Sequence, residues 1–260
     1  MASPCIAIVG KGGVGKTTIA AFTVRYLLER GIKPILAVDA DPSMSLPGVL
    51  GVQVAETIGG IREDTRSAAK GVPEGVPKQQ YLAMKIEEAL VEARGFDLLA
   101  MGRPEGQGCY CFVNNVLRDH LDRLAKSYKA TVIDCEAGLE HISRRTTRAV
   151  DTLIMVADPT LKAIHTLQTI LEMTKELDGR VERKLLILSK VPSGSEIRVQ
   201  EAAFRILGRE NFEAVGIIPQ DGEIFEAELA GTNLLMVDAN IPAFQSLVNF
   251  LATLPKPLVS

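Results

Sequence analysis

The residues Gly10-Lys11-Gly12-Gly13-Val14-Gly15-Lys16-Thr17 carry every group needed to hold a polyphosphate. Glycines adopt backbone angles closed to other residues, so successive N–H groups turn inward as an anion nest. Lys16 supplies a cation for the β- and γ-phosphates, Thr17 a hydroxyl for Mg²⁺, and Thr18 a second hydroxyl aimed at the α-phosphate. The apolar run Cys5–Val9 before the loop and the amphipathic stretch Lys16–Arg30 after it predict strand, loop and helix in that order. That order sets the nest over a helix N-terminus, where partial positive charge favours anions.

Further acids fit the same chemistry. Ala130-Thr131-Val132-Ile133-Asp134 reads as a buried strand ending in a carboxylate, which would hold Mg²⁺ through a bound water because that ion dehydrates reluctantly. Gly138 follows at a distance suited to a loop that senses the γ-phosphate. Asp39 and Asp41 close another apolar run, where open α/β sheets place their sites. Lys11 stands too early in the loop to reach its own γ-phosphate easily. It is better placed as a charge donated in trans to a partner's nucleotide.

The elements that must position these groups alternate along the chain. Strands are predicted over Cys5–Val9, Pro34–Val38, Phe96–Met101, Ala130–Ile133, Thr152–Val156, Lys184–Leu188 and Ala214–Ile218. Their mostly apolar character suits parallel strands buried on both faces. Helices are predicted over Lys16–Arg30, Val113–Lys126, Leu161–Leu177, Ser195–Leu207 and Pro242–Leu254, with loops and a short helix in Pro42–Pro77 at one sheet edge. Together they describe an α/β, doubly wound, mostly parallel sheet of about seven or eight strands with helices on both faces, in a single domain spanning 1–260.

Composition narrows the partners. A formal charge of −3 gives no global basic field for nucleic acid or acidic membrane, and Trp is absent. No apolar run approaches the ~20 residues that span a bilayer, and no secretory signal opens the chain. A cytoplasmic protein with reduced thiols is expected. Its four cysteines are then core, metal-binding or redox residues. Cys5, inside a strand, and Cys135, beside Asp134, read as packing residues, and His120 and His165 as helix residues. Gly108-Cys109-Tyr110-Cys111 is different. Two thiolates two residues apart grip a soft or borderline metal but half fill a tetrahedral site. A two-fold dimer would complete it with Cys109 and Cys111 from each chain.

The loop K-G-G-V-G-K-T resembles the deviant Walker A loop of the MinD, ParA, ArsA and nitrogenase-iron-protein group of P-loop ATPases. The resemblance implies an ATP-bound sandwich dimer with Lys11 crossing the interface, and ATP hydrolysis to ADP and phosphate. It implies that Asp41 belongs to switch I and orients the attacking water, and that Asp39 supports the Mg²⁺ shell. Asp134-Cys135-Glu136-Ala137-Gly138-Leu139-Glu140-His141 and the G-C-x-C pair are similar to the carbon monoxide dehydrogenase maturation ATPases, the nickel-insertion proteins of the CooC and AcsF type. That likeness makes Gly138, Glu140 and His141 switch II residues. It implies Ni²⁺, or Zn²⁺ as a surrogate, at Cys109 and Cys111. The implied client is a nickel enzyme, carbon monoxide dehydrogenase or acetyl-CoA synthase. Gly216-Ile217-Ile218-Pro219 is similar to the adenine-side loop. Where many relatives carry Asn-Lys to read the adenine edge, this chain has Ser189-Lys190, which reaches less far.

Two other functions compete. An iron–sulfur ATPase of the nitrogenase-iron-protein type would place a cluster on the same four sulfurs. A MinD- or ParA-like positioning ATPase would need a basic terminal helix for membrane or a basic face for DNA. The Pro242–Leu254 stretch has no Lys or Arg, and Phe244, Leu247, Val248 and Leu251 form a face for packing on the domain.

Overall fold

The structure is a computed structural model that describes residues 3–66, 73, 75–102, 123–136, 150–175 and 181–259. The described strands are β1 (Cys5–Gly10), β2 (Ile35–Ala40), β3 (Val91–Ala93), β4 (Phe96–Ala100), β5 (Ala130–Cys135), β6 (Val150–Ala157), β7 (Val181–Val191) and β8 (Ala214–Pro219). The helices of three residues' length aside, α1 (Lys16–Glu29), α2 (Leu46–Leu50), α3 (Ile58–Arg66) and α4 (Lys78–Glu88) precede β3. After β6 come α5 (Leu161–Lys175), α6 (Glu196–Leu207), α7 (Gly222–Leu229) and α8 (Pro242–Ala252). Of the expected helix Val113–Lys126, residues 113–122 lie outside the described residues.

The strands form one eight-stranded sheet in the order β3-β4-β2-β5-β1-β6-β7-β8. Every pairing is parallel except β3 with β4. β1, β2 and β5 are buried along their whole length, as a sheet covered on both faces requires. The chain moves from β1 through α1 towards β2, and from β6 through α5 and α6 towards β8, in opposite directions along the sheet. Right-handed crossovers in opposite directions put their helices on opposite faces. Strand order reverses beside β1, so the crevice at the C-terminal ends of β1, β2 and β5 is where such a sheet binds ligands.

Packing fixes α1 and α8 as neighbours. The Phe22 and Phe244 rings meet edge-on, with centroids 5.1 Å apart. Arg25 stacks 4.2 Å above Phe244 and donates to the Val237 carbonyl at 2.9 Å, tying the segment before α8 to α1. Phe244, Leu247 and Leu251 are buried, so the α8 face is spent on the domain interior. Each such side chain contributes roughly 1.5–3 kcal/mol. Cys5 and Cys135 are buried in the core. Among the described residues no helix is long and apolar enough to cross a membrane.

One glycine sets how closely the phosphate loop leaves the sheet. A Cβ on Gly10 would sit 2.2 Å from the Val156 carbonyl oxygen of β6, a backbone atom that cannot step aside. Gly10→Ala is expected to cost about 3 kcal/mol and lower Tm by roughly 5–10 °C in a thermal melt. An unchanged Tm would refute this close approach of β1 to β6.

Candidate functional site

The phosphate loop leaves β1 at Gly10 and enters α1 at Lys16. Gly13 and Gly15 have φ of 85° and 90°, the left-handed region that keeps successive N–H groups pointing inward. Lys16 is 6% exposed, and its Nζ lies 3.4 Å from the Lys11 carbonyl, folded back over the loop. The Lys11 ammonium has no hydrogen-bond or ion-pair partner among the described residues.

Parallel pairing aligns Asp39 of β2 with Asp134 of β5, side by side at the sheet's C-terminal edge. Thr17 Oγ1 donates to Asp134 Oδ2 at 2.6 Å. Asp134 Oδ1 is buried with no hydrogen-bond partner among the described residues. Burial pushes Asp134 up to about 7, against the Thr17 hydrogen bond, which holds it down. Burial likewise raises Asp39 to about 6, although backbone N–H groups of Leu46 and Asp41 favour its charged form. An orphaned buried carboxylate oxygen beside a hydroxyl is a costly arrangement without a cation. A divalent ion fits it: Thr17 and Asp134 would hold Mg²⁺, keeping waters in its remaining positions.

Asp39 does separate work. Its Oδ1 accepts from Asp41 N at 3.0 Å and its Oδ2 from Leu46 N at 2.9 Å, so it closes the loop that carries Asp41. Asp41 accepts from the backbone N–H and hydroxyl of Ser43 at 2.9 and 2.7 Å. Asp39 therefore shapes the loop beside the ion position, and Asp41 sits on it.

Next to the loop lies a cleft of about 150 Å³ between α1 and the β8–α7 turn, lined among others by Thr18, Phe22, Pro219, Ile224 and Phe225. Its apolar walls suit a base or another flat ring. Sequence reasoning did not find Glu228, whose carboxylate accepts from Thr18 Oγ1 at 3.3 Å across the cleft. Nothing in the spacing of these residues announces that contact. Asp221 caps α7 by accepting from Glu223 N, and its other oxygen accepts from Ala243 N of α8. Ser189 and Lys190 line the cleft, but their polar atoms turn to the phosphate loop.

The structure thus brings together Lys11, Gly12, Gly13, Val14, Gly15, Lys16, Thr17, Thr18, Asp39, Asp41, Asp134, Ser189, Lys190 and Pro219 around one crevice. Gly138, Glu140, His141, Cys109 and Cys111 lie outside the described residues. Among those described, no group of three or more His, Cys, Asp or Glu side chains is arranged to hold a metal ion.

Residues 5–234 match the CobQ/CobB/MinD/ParA nucleotide binding domain. The chain belongs to this family. It is a P-loop ATPase of the MinD/ParA type, with the mostly parallel eight-stranded sheet of that fold. The chain is 41% identical over 237 residues to an uncharacterized ATP-binding protein of Methanocaldococcus jannaschii, covering 90% of this chain and 92% of that one. It is 31% identical over 242 residues to the carbon monoxide dehydrogenase accessory protein CooC of Rhodospirillum rubrum, covering 87% of each. Among solved structures, the MinC:MinD cell division protein complex of Aquifex aeolicus superposes with a TM-score of 0.70 at 21% identity, over 95% of this chain and 93% of that one. That likeness speaks for the fold.

Proposed function

We propose that this ATPase is a cytoplasmic, one-domain metal-delivery protein that serves a nickel enzyme, carbon monoxide dehydrogenase or acetyl-CoA synthase. The observation that carries the reading is a conjunction. The chain is 31% identical to a carbon monoxide dehydrogenase accessory protein along 87% of its length, and it has the thiol pair Cys109 and Cys111. Nickel is the cargo, held by four thiolates when two chains meet.

The nucleotide site supplies the drive. Lys16 and the inward N–H groups of Gly12 to Thr17 hold the phosphates, and the cleft at Pro219 takes the base. Mg²⁺, held by Thr17 and Asp134, neutralises charge on the phosphate oxygens when bound. Asp41 orients the attacking water, and Gly138, Glu140 and His141 form switch II. Lys11 reaches the nucleotide of the partner chain, so closure on ATP joins the two thiol pairs. Hydrolysis to ADP and phosphate then loosens the dimer and releases the metal.

The test measures molecular mass and bound metal together, with ADP and with a non-hydrolysable ATP analogue. One nickel or zinc ion per dimer is expected with the analogue, and none in Cys109→Ser or Cys111→Ser. Metal content unchanged in both variants would sink the delivery reading and leave the ATPase untouched. A brown anaerobic preparation with iron in place of nickel would favour the iron–sulfur alternative.

A further inference from the structure

Consecutive side chains of a regular strand point to opposite faces, yet Ser189 and Lys190 at the end of β7 both reach the phosphate loop. The register between β7 and β8 shifts between Leu188 and Val191, the mark of a bulge. Lys190 has φ 54°, in the left-handed region that non-glycine residues rarely occupy. Bulges re-aim side chains, and strain of this kind persists where the surroundings hold it in place.

Both re-aimed groups find neighbouring carbonyls. Ser189 Oγ lies 2.5 Å from the Val14 carbonyl and 3.2 Å from that of Ala157, and the residue is 3% exposed. Lys190 Nζ donates to the Gly13 carbonyl at 2.8 Å. The Lys190 stem passes close beneath the loop, with Cε 3.7 Å from where a Cβ on Gly15 would sit. An anion nest needs its N–H groups turned inward, which turns carbonyls outward. Outward carbonyls are held in place when a donor occupies them. The single hydroxyl proton of Ser189 is spent on such a carbonyl, so it is not available to a base.

We propose that Ser189 and Lys190 are positioning residues that lock the phosphate loop open for anions, acting through Gly13 and Val14 and not on the base. This rests on the reading of Gly10–Thr18 as the phosphate site. It differs from the role that the resemblance gives the Asn of Asn-Lys in many relatives, which is to read the adenine edge.

Calorimetric titration with MgADP, pyrophosphate, ATP and GTP separates the roles. Ser189→Ala and Lys190→Met are each expected to weaken MgADP and pyrophosphate about tenfold while the ATP-to-GTP affinity ratio stays at its wild-type value. Ser189→Thr should retain binding because it keeps the hydroxyl. Lys190→Gly relieves the positive φ but lacks the donor, so it should bind as weakly as Lys190→Met. A changed ATP-to-GTP ratio with pyrophosphate binding intact would overturn the proposal in favour of base reading. So would variants with lowered Tm but normal pyrophosphate affinity. A wild-type protein blind to pyrophosphate would sink the phosphate-site reading as well; wild type and variants binding it equally would sink this proposal alone.

Discussion

Lys16→Gln is expected to fold normally and to lose ATP hydrolysis by at least about a hundredfold, because two effects add. Lys16 stands at the helix start, 6% exposed, with its ammonium folded over the Lys11 carbonyl. Removing its charge takes away stabilisation of the phosphate oxygens where negative charge develops. The same charge helps hold down Asp134, which burial raises to about 7. Without Lys16 that carboxylate is driven further towards its neutral form, which would weaken the grip that Thr17 and Asp134 are proposed to have on Mg²⁺. Phosphate release under single-turnover conditions, with circular dichroism to confirm folding, measures the outcome. More than a tenth of wild-type turnover would rule out this role for Lys16. Lys16→Arg should not rescue, since a planar fork replaces a compact point charge in a buried place.

How much of this was legible in the chain depends on how far apart the partners stand. The phosphate loop is contiguous, so its chemistry imposes a local pattern: the positive φ values of Gly13 and Gly15 and the tight exit at Gly10 each demand the glycine that the sequence shows. Strands such as Cys5–Gly10 and Ala130–Cys135 were readable because burial on both faces excludes polar residues. β3 leaves little signal in the sequence: Val91–Ala93 is short, half-exposed and antiparallel at the sheet edge, so little burial disciplines its residues. α7 is equally hard to read, because Gly222–Leu229 buries only Ala227 and leaves Phe225 and Leu229 exposed, which blurs any helical period.

Contacts made across the sheet were least legible. Thr17 and Asp134 stand 117 residues apart, and the sequence links them only through Mg²⁺ chemistry, which requires a hydroxyl near a strand-end acid. No such requirement links Ser189 to Val14, 175 residues away. A serine after an apolar run is compatible with many environments. Here the bulge in β7, a backbone event, decides which way it faces. Asp39 is an intermediate case. Its position at a strand end was plain, but its two backbone hydrogen bonds, to Asp41 and Leu46, are the work of a loop whose path the sequence leaves open.

Lys11 offers the sharpest test of whether two such loops face each other. Lys11→Ala removes a side chain with no hydrogen-bond or ion-pair partner among the described residues, so nucleotide binding by the chain itself should persist. Hydrolysis should fall about a thousandfold if the ammonium acts on the partner's nucleotide as an arginine finger does. Asp41→Asn should be similarly inactive if, as proposed, its carboxylate orients the attacking water. The two dead proteins, mixed, distinguish trans from cis action. In a mixed dimer, the chain carrying Lys11→Ala keeps Asp41 and receives Lys11 from its partner, so one site of the two is complete. Random pairing makes about half the dimers mixed, and about a quarter of wild-type activity should return. Action in cis leaves each chain lacking one group, and mixing then restores nothing. Recovery measured against the mixing ratio, with each variant alone as baseline, decides between these geometries. Recovery that rises with total protein concentration would further show that the completed site is assembled by association of chains.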